Sequence, residues 1–175
     1  MRRMMILMVV AGLALISGCT APASNMPATS SKSGQPLPLA SLATVFATPV
    51  AGLSGSSSYP AAGVTGTCAQ ALQQASEAVT LSGSGEGVAV IFADVASAQQ
   101  AGEKVRACRT KLPSMSVASD VVHDNGLTRQ VFLIAGSRFA VGQYRNVVLD
   151  FQYSAESYDV GQLNREFPTR ADAVG

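Results

Sequence analysis

Between residues 98 and 112, Ala98, Ala101, Val105, Cys108 and Leu112 step by +3, +4, +3 and +4. No other stretch is so regular, and a helix of about 3.6 residues per turn is what brings that spacing onto one face. Ser97 can cap this helix, and Pro113 stops it because proline lacks an N–H and clashes with the preceding turn. Cys68, Leu72, Ala75 and Val79 form a second stripe and predict an earlier helix ending near Leu81. Each stripe carries a cysteine, so both thiols are expected to point into one core. Lys104, Arg106, Arg109 and Lys111 then read as a solvated helix face, with an acidic partner or anionic lipid headgroups as the alternative.

The remaining pattern is mostly β. Val88 to Ala93 is a dense run of β-formers and reads as a buried strand. Ser116 to His123 and Leu127 to Ala135 are β-like runs joined at Asn125-Gly126. That dipeptide favours a type I′ turn, because both central residues need φ > 0. Gly136-Ser137 makes a further turn, and Arg138 to Tyr153 is one bent strand or two, with Gly142 as a candidate bulge. Leu163, Phe167 and Val174 place a helix over 160–174, kinked or restarted at Pro168. Leu39, Leu42, Val45 and Phe46 predict a short helix from Leu39 to Ala47, and Ser54 to Tyr59 reads as a loop. The order predicts an α+β fold: an antiparallel sheet with helices packed on one face.

The N-terminus reads as an address. Arg2 and Arg3 precede thirteen residues, Met4 to Ile16, without charge. A membrane span needs about 20 apolar residues, so this length fits a secretory leader better. Ser17-Gly18-Cys19 follows and resembles a bacterial lipobox, in which the cysteine is acylated and becomes the N-terminus. The resemblance implies a leader over 1–18 and a lipid-anchored chain on the extracytoplasmic face of the cell membrane, with Cys19 as the attachment site. Two or more acyl chains anchor stably, whereas one is marginal at about 0.8 kcal/mol per buried CH₂. Residues 19–38, rich in Ala, Ser and Pro, read as a flexible tether, and 39–175 as a single domain.

Export bears on the cysteines. Of three, Cys19 is assigned to lipid, leaving Cys68 and Cys108 as a pair that would oxidise outside the cytoplasm into a helix–helix disulfide. The alternative is two buried free thiols. A closed loop of about 40 residues would stabilise the fold by roughly 3–4 kcal/mol on the chain-entropy argument.

No catalytic constellation can be assembled. His123 lies beside Asp124 at a hairpin tip, where alternation sends the two to opposite faces. Gly83, Gly85 and Gly87 follow an expected helix and precede a strand, the reverse of a dinucleotide fingerprint, and read as an αβ loop. One histidine and no C-x-x-C give no metal site, and no cofactor is indicated. With 12 basic and 11 acidic residues and 6% aromatics, nothing points to nucleic acid. Removal of Arg2 and Arg3 with the leader would change the net charge from +1 to −1.

The lipobox, the tether and the Cys68/Cys108 pair resemble small actinobacterial, chiefly mycobacterial, cell-envelope lipoproteins. Val88-Ala-Val-Ile-Phe-Ala-Asp-Val-Ala-Ser-Ala-Gln-Gln-Ala101, Val105-Arg-Ala-Cys108 and Arg145-Asn-Val-Val-Leu-Asp-Phe151 are similar to the extracellular sensor domain of the PknH receptor kinase. The resemblance implies an α+β fold with a central groove for an unidentified ligand, and brings no catalytic residues. The expected function is non-enzymatic ligand binding, with a small molecule, lipid or protein as partner. Arg129, Arg138, Tyr144 and Arg145 are the polar candidates along the meander. A lipid or glycolipid carrier with an apolar cavity, and an envelope hydrolase, are the alternatives.

Overall fold

The computed structural model describes residues 34–154, 156 and 158–175. The leader, Cys19 and most of the tether lie outside the described residues. The element order is α1 (Ser41–Phe46), β1 (Leu53–Tyr59), β2 (Glu77–Gly83), β3 (Gly85–Ile91), α2 (Val95–Arg109), β4 (Ser116–Val117), β5 (Val122–Asp124), β6 (Leu127–Ile134), β7 (Ser137–Tyr144), β8 (Val147–Ser154) and α3 (Val160–Val174). Every strand pairing is antiparallel, in the order β1-β2-β3-β8-β7-β6-β4, with β5 also on β6. The fold is α+β, as the sequence pattern requires. Among the described residues, no helix is long and apolar enough to cross a membrane.

The helices do not share one face. Leu42 and Phe46 of α1 and Leu163 and Phe167 of α3 pack with Val79, Ile91, Leu149 and Phe151. The Phe46 and Phe167 rings stack at 5.7 Å. On the opposite face, Ala98, Ala101 and Val105 of α2 pack with Val90, Phe132, Val141 and Val148. A sheet covered on both sides buries successive residues, so Val147 to Phe151 are all buried instead of alternating.

Local chemistry explains the departures from the periodic pattern. The stripe beginning at Cys68 is not a helix. Cys68 takes φ 69° and opens one 3-10 turn, Ala69–Ala71. The β-branched Val79 and Thr80 then go into β2, where two neighbouring strands supply hydrogen bonds. The serine run at 54–58 is an edge strand, not a loop. It carries no apolar alternation because Ser56 to Ser58 are exposed, and its register slips between Gly55 and Ser58. The glycines at 83–87 form a β2–β3 hairpin in place of an αβ loop. Gly142 is no bulge, since β7 runs in register past it on both sides.

The turn at Asn125 and Gly126 has φ 50° and 77°, both positive as the dipeptide predicts. The next turn is centred one residue earlier than expected, on Ala135 (φ 44°) and Gly136 (φ 83°). At the start of α2 the capping residue is Asp94, whose carboxylate accepts from the Ser97 N–H (2.8 Å) and hydroxyl (2.7 Å). Pro168 stays inside α3. Its missing N–H frees the Asn164 carbonyl, which accepts from Asn125 Nδ2 at 3.3 Å.

The domain begins before Leu39. Leu37 is buried, and it exchanges hydrogen bonds with the fully buried Asn146: Leu37 N–H donates to Oδ1 (2.6 Å) and Nδ2 donates to Leu37 O (3.0 Å). The same Nδ2 donates to Phe92 O at 2.7 Å.

Candidate functional site

Small residues on α2 let the helix lie close to β7 and β8. Ala98, Ala101 and Gly102 are buried there, and a β-carbon on Gly102 would sit 3.4 Å from Gln143 Cβ. The helix ends at Arg109, leaving the rest of that sheet face uncovered. A groove of about 520 Å³ opens there. Two cross-strand rows make its floor: Thr80, Val88 and Asp150 in one, Glu86, Gln152 and Phe139 in the next. Val64 to Thr67 and Leu72 wall one side, and Leu112 and Met115 wall another.

The Cys68–Cys108 disulfide ties the first wall to α2. The bridge therefore joins a 3-10 turn to a helix, instead of two helices. Cys68 packs at the edge of the α2-side core.

Arg109 and Asp150 lie at the base of the groove. Arg109 Nε donates to Asp150 Oδ1 at 3.0 Å, and Nη2 donates to Oδ1 at 2.7 Å and Oδ2 at 2.8 Å. The two side chains are only 8% and 7% exposed. The guanidinium also lies 4.3 Å over the Phe139 ring. Burial pushes the Asp150 carboxyl up from its ordinary range, and Arg109 pulls it back down. Arg109 is thus not part of a solvated basic face.

The residues singled out along the meander lie elsewhere, and none of them lines this groove. Arg129 is buried and donates from Nε to Asn164 Oδ1 of α3 at 3.0 Å. Tyr144 donates its hydroxyl to Asp172 Oδ1 at 2.7 Å. Arg145 is buried, pairs with Asp172 at 3.1 Å, and donates to the Gln35 and Pro36 carbonyls. These three fasten α3 and the chain's entry to the sheet. Arg138 is exposed, opposite Tyr153 on β8. His123 is exposed at its hairpin and shares a hydrogen bond with Thr128 at 2.9 Å.

Sequence reasoning missed Arg109 and Asp150 as a pair, although a signal was present. Asp150 interrupts the apolar run Val147-Val148-Leu149-Asp150-Phe151, and a carboxylate in a buried strand needs a cation. Arg109 lies four residues after Val105, on the buried stripe of α2. Among the described residues, no group of three or more His, Cys, Asp or Glu side chains could hold a metal ion.

Compared with protein families, with curated proteins and with solved structures, the chain matches none.

Proposed function

We propose that this chain is a lipid-anchored, non-enzymatic lipoprotein of the cell envelope whose domain binds a ligand in the groove beside α2. The observation that carries the reading is the groove itself: about 520 Å³, with a buried, hydrogen-bonded ion pair at its base. Ligand sites are commonly concave, of roughly 300–1,000 Å³, with a few fixed polar groups among apolar ones. The leader and Cys19 support the anchor, and the similarity to the PknH sensor domain supports ligand binding. The carrier alternative finds less support, because threonines and Gln152 share the lining with aliphatic side chains. The hydrolase alternative has no histidine at the groove among the described residues.

The test is extraction of the full chain from membranes under mild conditions, followed by denaturation and mass spectrometry of released small molecules. The parent should release a compound that Thr80→Trp, which fills the groove from an exposed sheet position, does not. Equal release from both, or none from the parent, would defeat the binding reading. Separately, Cys19→Ser should abolish incorporation of labelled palmitate and move the chain out of the membrane fraction. Unchanged labelling would defeat the anchor.

A further inference from the structure

We infer that the groove takes an uncharged, polyhydroxylated ligand of the carbohydrate class; this rests on the groove being a binding site. The argument begins with charge. Arg109 has its Nε and Nη2 committed to Asp150, so its charge is answered inside the protein. The other charged side chain on the lining is Glu86, which is exposed at the rim. An anion entering the groove meets a neutralised pair and the Glu86 carboxylate, with no free cation among the described residues of the lining. A cation gains only Glu86, whose exposed charge is screened by solvent and salt.

The polar residues on the lining are Tyr59, Thr65, Thr67, Thr80 and Gln152, whose Nε2 also donates to Ser137 Oγ at 2.9 Å. Each of these both donates and accepts. Ligand hydroxyls do the same, so they can satisfy every one of these groups without a change of protonation. Arg109 Nη1, which makes no bond to Asp150, adds a donor held in place by the other two guanidinium nitrogens and by Phe139. Val88 and Leu112 provide apolar surface for the C–H face of a sugar ring.

The backbone argues against an extended peptide. Peptides commonly bind sheets by adding a strand at a free edge. The floor comes from β2, β3, β8 and β7, all interior strands paired on both sides. The floor can therefore recognise a ligand only through side chains. An acyl chain would cover the threonine hydroxyls of the lining without giving them partners, at a cost in desolvation.

The experiment uses the full chain in a sugar-free zwitterionic detergent and saturation-transfer NMR. The probes are maltotriose, cellobiose and trehalose, with trialanine, inorganic phosphate and palmitate as the competing classes. At least one sugar should receive saturation from the protein. Thr80→Trp should abolish the transfer. Thr80→Val and Gln152→Leu should each weaken binding about threefold to tenfold, as loss of one neutral hydrogen bond implies. Circular dichroism confirms that the variants are folded. If trialanine, phosphate or palmitate binds in a Thr80→Trp-sensitive way and no sugar does, the ligand class is wrong and the groove reading stands. If no probe binds in that way, or sugar binding survives Thr80→Trp, the ligand class is overturned. Failure of the parent to release any Thr80→Trp-sensitive compound in the extraction described above would remove the groove reading as well.

Discussion

Arg109 Nη2 reaches both oxygens of Asp150, at 2.7 and 2.8 Å, across the boundary between a helix and a central strand. Removing one partner leaves a buried charge without its counterion, which typically costs about 3–5 kcal/mol. Asp150→Asn should therefore lower unfolding stability by about that amount in urea. Arg109→Met combined with Asp150→Leu should recover most of the loss, because an apolar pair of similar volume removes both desolvation costs. A single variant as stable as the parent would show that the pair is not buried in solution.

The disulfide holds the wall from Val64 to Thr67 against α2, and it closes a sequence separation of 40 residues. Reduction, or Cys68→Ser with Cys108→Ser, should cost about 3–4 kcal/mol. Urea midpoints with and without a phosphine reductant measure this. Equal midpoints would mean that the cysteines are not bridged in the purified protein.

Asn146 makes three buried hydrogen bonds, two to Leu37 and one to Phe92. Asn146→Ala leaves Leu37 N–H and two carbonyls seeking partners, and should cost about 2–4 kcal/mol at roughly 1 kcal/mol or more per bond. Amide hydrogen exchange at Leu37 should rise more than exchange at Ile91, deep in the sheet. Uniform acceleration of both would indicate global loosening and no specific latch.

Much of this was legible from the chain, and the failures are instructive. Uniform spacing identified α2, and Asn125-Gly126 identified its hairpin, because each signal is local. The 68–79 stripe misled because Val79 and Leu81 also satisfy strand spacing, and the choice between periods is made by β1 and β3. The consecutive apolar residues Val147, Val148 and Leu149 already carried the sign of a sheet covered on both faces. The groove depends on where α2 stops relative to β7 and β8, a tertiary register that no local spacing reports. Lipid attachment is read from residues outside the described part of the chain.

Three phenols should shape the response to alkali. Burial raises Tyr144, with Asp172 adding to the effect. Burial also raises Tyr158, where Tyr153 adds to it, and Tyr153, where Arg138 and Arg129 oppose it. Unfolded tyrosine ionises near pH 10, so the folded state binds more protons than the unfolded state above that point. Stability from these groups is fully present below about pH 10 and is lost as pH rises toward the folded values. Urea midpoints should fall above about pH 10, with tyrosinate absorbance growing alongside unfolding, and Tyr158→Phe should reduce the fall. Midpoints that stay level in alkali would contradict the buried phenols.

The grip of Asn146 on Leu37 has a mechanical meaning. Asn146 occupies the turn between β7 and β8, two interior strands. The chain ahead of α1 is therefore fastened to the middle of the sheet, at the turn joining two eight-residue strands. That anchorage is independent of β1 at the sheet edge. Together with the Arg145 bonds to Gln35 and Pro36, it makes the leading end of the domain part of the sheet's central turn and not a loose entry.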